Sequence, residues 1–295
     1  MALAALIGLP TLEAAGQKVA HPFVCTDNGR NRVYVVAATG EIEWEYPARV
    51  CQDAWMLPNG NILLSHIHGV KEVTRDKQVV WEYKTQRPNE VHTCQPLPDG
   101  RVLIGECGTC RLIEVDRQGK VQKEIKLTTT TRNIHLQMRQ CRRTPQGTYL
   151  VTFTGENKVC EFDADGKLSR TIKVPRKHVF AAVRLPDGNT LIACGDAHTL
   201  IEVDRNDKVV WRIDENELPG NPLRFVAGVQ RLPNGNTVVC NWGGHGHRGK
   251  QPQVFEVTRD KKVVWQVFDN KQFRLFSSIH LLDVPGDPTK GEILR

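Results

Sequence analysis

The chain has 295 residues, 40% hydrophobic and 25% charged, an ordinary globular composition that excludes a disordered or collagen-like polymer. No uninterrupted apolar run approaches the ~18–20 residues needed to span a bilayer, which excludes an integral helical membrane protein. Forty Lys and Arg against 33 Asp and Glu give a net charge of +7, but acids are interleaved with bases in segments such as Arg75-Asp76-Lys77 and Arg259-Asp260-Lys261-Lys262. That is a solvated surface, not the basic stripe of a nucleic-acid binder, although the summed field favours anionic partners of whatever kind.

In chain order, residues 1–20 read MALAALIGLPTLEAAGQKVA, an apolar stretch from Ala2 to Leu9 followed by the small residues Ala14-Ala15-Gly16. This is a leader pattern without its basic start, and it predicts export to the periplasm or beyond, with one domain over residues 21–295. Three strands are expected next, near Phe23–Thr26, Arg32–Ala37 and Glu41–Tyr46.

A repeat then dominates the sequence. LPNGN (57–61), LPDGR (97–101), TPQGT (144–148), LPDGN (185–189) and LPNGN (232–236) are tight turns, in which Pro fixes φ and Gly supplies φ > 0. After each comes a charged hairpin: Glu72-VTRDKQVV-Trp81, Glu114-VDRQGKVQ-Lys123, Glu161-FDADGKLS-Arg170, Glu202-VDRNDKVV-Trp211 and Glu256-VTRDKKVV-Trp265. A sixth hairpin, Tyr34-VVAATGEIE-Trp44, has no such turn before it. Spacings of 37, 42, 47, 41 and 54 residues between the hairpin ends match four-stranded propeller blades of ~40–50 residues. A strand over Ser278–Val284 completes the N-terminal three. The prediction is an all-β, six-bladed β-propeller of four-stranded antiparallel blades, closed by N-terminal strands plus a C-terminal one, which leaves no open array edge. Gly291–Leu294 falls outside the repeat.

The run LPNGN-I-L-L followed by EVTRDKQVVWEY resembles bacterial propellers with PQQ-like repeats and the arylsulfotransferases, across about residues 23–284. The resemblance implies the architecture. In quinoprotein dehydrogenases, PQQ binding goes with more blades and often with vicinal cysteines; this chain has neither, so PQQ is not expected. Arylsulfotransferases are longer and transfer sulfate through an axial histidine. None of their catalytic motifs matches here, so no residue role carries over.

Propeller geometry sorts residues by face. Each blade's first strand lines the axis, and the loops entering it share a face with the loops between second and third strands. His92, His135, His178 and His280 fall near inner-strand starts, whereas His66, His68, His198, His245 and His247 fall in second-to-third-strand loops. Glu106, Cys107, Cys110, Asp196 and Trp242 belong to the same loops, and Arg139 to an inner strand. The expected site is a histidine-rich axial pocket. His92, His135, His178 and His280 would hold a divalent metal ion, since imidazole is a common ligand for such ions, or would instead bind a sulfate, uronate or phosphate group together with Arg139. His135 or His178 would act as base or nucleophile, with Arg139 neutralising an anion. His66, His68, Glu106, Asp196, His198, Trp242, His245 and His247 are candidate ligand contacts. Structural readings stand beside these: His66-Ile-His68 suits a surface strand end, and the glycines of residues 241–249 suit a mobile loop.

Nine cysteines leave at least one unpaired. Cys107-Gly-Thr-Cys110 lacks the βαβ setting of a redox pair and is half of a usual zinc site, so a redox role is the third-ranked reading. The recurring Trp44, Trp81, Trp211 and Trp265 are expected between blades, whereas Trp55 and Trp242 break register and suit stacking on a sugar or aromatic ring, with core packing an equal alternative for Trp55. Walker, HExxH and GxSxG motifs are absent. The resulting expectation is an exported propeller that binds a small polar or anionic ligand, a carbohydrate or sulfated aromatic. It would act as a metal-assisted lyase, hydrolase or sulfuryl-transfer enzyme; the alternative is a non-enzymatic scaffold for a protein partner.

Overall fold

The Pro-Asx-Gly segments fold as the tight turns their residues dictate. In the first, Gly60 N–H donates to the Leu57 carbonyl and Leu57 N–H to the Asn61 carbonyl, both at 2.9 Å. The glycines of the five turns have φ between 81° and 90°, a region only glycine enters freely. A computed structural model describes residues 20–175 and 177–295. The leader expected over residues 1–20 therefore lies outside the described residues, apart from Ala20.

Among the described residues, twenty-four strands form six four-stranded antiparallel sheets. The inner strands of blades one to six are Ala54–Met56, Glu90–Pro96, Cys141–Arg143, Val179–Arg184, Val226–Arg231 and Phe276–Leu281. In blade six, Phe276–Leu281 pairs with Phe23–Asp27, followed outward by Arg32–Val36 and Ile42–Pro47. This is the six-bladed propeller expected, with closure by strands from both ends of the repeat array.

Two devices explain the repeated residues. The hairpin glutamate, buried in four of the repeats and half-buried at Glu161, takes a hydrogen bond from the residue that ends the turn motif: Asn61 to Glu72 (2.7 Å), Asn189 to Glu202 (3.0 Å) and Asn236 to Glu256 (2.6 Å). Arg101 to Glu114 (2.8 Å) and Thr148 to Glu161 (2.7 Å) do the same with other donors. The hairpin-end residue reaches the next blade instead. Trp44, Trp81 and Trp211 Nε1 donate to the carbonyls of Arg75, Asp116 and Arg259 at 2.9, 3.0 and 2.9 Å. Where the indole is missing, Lys123 and Arg170 donate to the carbonyls of Ala164 and Asp204. The latch survives the change of side chain.

Below the axis mouth the channel is filled. Asp53 accepts from Arg142 (2.7 Å) and Arg295 (3.0 Å), and both guanidinium groups lie over the ring of Trp55, at 5.0 and 4.1 Å. The segment outside the repeat thus has a place: Leu294 accepts from Arg231 N–H (2.8 Å), and Arg295 enters the axis beside Ser278.

Candidate functional site

The opposite end of the axis opens into a cavity of about 340 Å³. Inner strands and their entry loops line it with Gln52, Arg139, Phe180 and Ser277, and longer loops add His135, His178, Phe225, Trp242 and His245. Five of the six blades contribute.

Two carboxylates organise the histidines. Asp196, in a 3-10 turn over Gly195–Ala197, accepts from His245 Nδ1 at 2.7 Å through one oxygen and contacts His178 Nδ1 through the other. The turn needs glycine at 195: a Cβ there would lie 2.7 Å from the Phe225 ring and 2.9 Å from the His178 carbonyl. His178 and His245 both adopt left-handed backbone, φ 58° and 53°, a conformation most residues avoid. Burial pushes the Asp196 carboxyl up, but hydrogen bonds from His245 and His178 outweigh it and leave it below its ordinary range.

The second carboxylate is Glu90. Its Oε2 lies 2.7 Å from His135 Nδ1 and 2.9 Å from His92 Nε2. Contacts with His92 and His135 outweigh burial and hold Glu90 at about 2. His92 is fully enclosed; burial, then the charge of Arg139, pushes it down to about 3, so the ring is neutral. The His92 and His135 rings stand edge to face with centroids 5.0 Å apart. Arg139 is buried, and burial lowers it to about 10, which leaves it charged at neutral pH. Its NH1 donates to the main-chain carbonyls of His135 and Met138. Phe180, Phe225 and Trp242 form the apolar wall, with Phe225 and Trp242 centroids 5.0 Å apart.

The structure brings together His135, His178, Arg139, Asp196, Trp242 and His245, with His92 just behind the wall. It does not assemble the four-histidine metal set. His178 is engaged by Asp196, and His280 lies at the far end of its strand, where Nδ1 accepts from Met56 N–H at 3.1 Å beside Leu57 and Pro58. That end belongs to the turn face, which corrects the placement of His280. Glu106 is also misplaced: it is buried away from the cavity, bound by Tyr83 (2.9 Å), Thr109 (2.6 Å) and Arg111 (2.6 Å). His66 lies near Glu82 and His68 Nδ1 is 3.0 Å from the Asn89 carbonyl, so neither lines the cavity. His198 pairs with Glu215 at 3.0 Å and meets His247 edge to face at 5.8 Å, and neither lines the cavity. Trp55 belongs to the axial plug. All nine cysteines are buried, and burial pushes Cys107 and Cys110 up to about 12 and 11, the reverse of a reactive thiolate.

Sequence reasoning missed Glu90. The signal was Glu90-Val-His92 at a strand start, an acid two residues before a histidine.

The sequence profile described as Mal s 1 allergenic protein-like matches residues 34–262. No curated protein sequence matches. Among solved structures, a protein of unknown function from Bacteroides caccae is 31% identical, with TM-score 0.81, over 90% of this chain and 100% of that one. A streptogramin B lyase is 12% identical with TM-score 0.60, over 90% of this chain and 95% of that one. A catalytically inactive His-to-Ala variant of virginiamycin B lyase from Staphylococcus aureus, with quinupristin, is 12% identical with TM-score 0.58, over 87% and 86%. At that identity the two lyases share the fold alone.

Proposed function

For this chain, which belongs to the Mal s 1 allergenic protein-like family of β-propellers, we propose that the axial cavity binds a small anionic ligand bearing an aromatic or other apolar ring and acts on it by lyase-type acid–base chemistry. The observation that carries this reading is the pairing of His178 and His245 on Asp196, in the same cavity as the buried guanidinium of Arg139. An elimination needs a base to take a proton and an acid to protonate the leaving group. Two imidazoles on one carboxylate, each bonded through Nδ1, leave two Nε2 atoms for those roles. Arg139 supplies the charge that attracts an anion, and Phe180, Phe225 and Trp242 supply a wall for a ring. The streptogramin B lyase and virginiamycin B lyase that share the fold lend the reaction class support.

The test is turnover of three panels: aryl sulfates, uronides and ester-closed cyclic peptides. Products are read by mass. Elimination from a cyclic ester leaves the mass unchanged, hydrolysis adds one water, and sulfuryl transfer moves a sulfate to an added phenol. Elimination lost in His178→Ala supports the reading. Absence of both turnover and binding across all panels overturns it in favour of a protein-binding scaffold. Export is part of the proposal and rests on residues 1–20; N-terminal sequencing of the mature protein tests it.

A further inference from the structure

We propose that Glu90, His92 and His135 form a divalent transition-metal site in the wall of the axial cavity. This deepens the functional reading above and rests on it only for what the ion would do.

One potential ligand atom from each of the three residues lies within 4.8 Å of those of the other two, a grouping found nowhere else among the described residues. The donors are two imidazole nitrogens and one carboxylate oxygen, the set used by three-ligand zinc sites and by facial triads with open positions. Ligands about 2.1 Å from one ion lie roughly 3–3.5 Å apart. The contacts of 2.7 and 2.9 Å to Glu90 thus need only a small opening to admit an ion.

The second observation concerns His92. Its side chain is wholly buried, yet neither ring nitrogen has a hydrogen-bond partner. Nε2 is 2.9 Å from Glu90 Oε2 but lacks hydrogen-bond alignment, so the contact leaves a buried polar ring unsatisfied. Buried polar groups are nearly always satisfied, and an ion shared with the carboxylate gives Nε2 the partner it lacks. His135 is half-exposed and lines the cavity, so the ion would sit between the closed interior and the ligand space. An ion with positions open on that side polarises a ligand carbonyl or lowers the pKa of bound water. Arg139 NH1 is held by the His135 and Met138 carbonyls, which fixes the ligand-bearing loop.

The site is tested without any substrate. Full-length protein is stripped with a chelator, and Zn²⁺ is titrated against a competing chromogenic chelator. The expected result is one Zn²⁺ per chain, undisturbed by excess Mg²⁺, which prefers oxygen ligands. Glu90→Gln and His135→Ala should each weaken binding at least tenfold, whereas His280→Ala should leave it unchanged. His135→Ala changes a half-exposed ring, so the experiment survives if a variant at buried His92 fails to fold. No stoichiometric ion, or unaltered affinity in both Glu90→Gln and His135→Ala, overturns the proposal. A bound ion without turnover overturns only the lyase reading, and turnover without an ion overturns only the metal site.

Discussion

His178 and His245 come from neighbouring blades and bind opposite oxygens of one carboxylate, that of Asp196, with His245 Nδ1 at 2.7 Å. An acceptor on both sides fixes each ring with its proton on Nδ1 and its other nitrogen toward the cavity. An amide cannot do this, because it offers one oxygen and one donor. Asp196→Asn should therefore reduce turnover by about 10²-fold, the scale of a misdirected acid–base group. Asp196 is only partly buried in a loop, so the melting temperature should stay within a few degrees. Steady-state kinetics with thermal unfolding checks both; equal loss of stability and activity would make the carboxylate a structural staple.

Arg139 separates a charge role from a packing role. The guanidinium is buried and charged, and hydrogen bonds to charged groups contribute about 1.5–3 kcal/mol, equivalent to ten- to hundredfold in affinity. Arg139→Met should cost an anionic ligand that factor and leave a neutral isostere nearly unaffected. Calorimetric titration of the two ligands gives the comparison. Equal weakening of both would show that Arg139 acts by holding the His135 loop through its carbonyl contacts.

The propeller was legible because every repeated residue serves a local purpose, with a turn φ at Gly60, a buried acceptor at Glu72 and an interblade donor at Trp81. Repetition made those purposes visible in the sequence itself. The face of most histidines followed from strand order, which brought His135, His178 and His245 to one mouth. His280 failed for a reason of register. Its strand begins at Phe276, two residues before the expected Ser278, and ends at Leu281, so a residue near the expected start stands near the true end. Glu106 failed because loop membership does not give side-chain direction; Arg111 and Tyr83 turn it away from the axis. Glu90 was passed over because an acid beside Pro88-Asn89 looks like a solvated turn charge, although it stands two residues before His92.

The interblade latch makes a graded prediction. Trp81 is buried and donates to the Asp116 carbonyl, with Arg117 over its ring at 5.3 Å. Trp81→Phe removes the donor while keeping much of the ring, and should cost about 1 kcal/mol. Trp81→Ala also empties the space between blades and should cost about 3–5 kcal/mol. Lys123→Ala at the equivalent place, where the donor is a solvent-accessible ammonium, should cost less than about 1 kcal/mol. Urea unfolding of the three variants orders them. A Lys123→Ala cost equal to that of Trp81→Ala would show that the carbonyl contact, not the buried ring, holds neighbouring blades.

His21 closes the seam between blades five and six, and its chemistry sets a pH dependence. Nε2 lies 2.9 Å from Glu256 and Nδ1 2.7 Å from Asp283, with the ring edge-on to Trp265 at 4.9 Å. Both nitrogens face carboxylates, so the doubly protonated ring fits. The hydrogen bond to Glu256, with help from Asp283, outweighs burial and raises His21 above its usual 6.5. A folded-state value above the unfolded one stabilises the protein fully below pH 6.5, and that contribution fades as pH rises through the raised value. Wild type should therefore exceed His21→Gln in stability by more at pH 5.5 than at pH 8.5. Denaturant midpoints at unit steps across that range measure the gap. A gap that widens toward pH 8.5 would mean the protonated ring contributes nothing, and the seam would then be held by Trp265 and Phe23 packing alone.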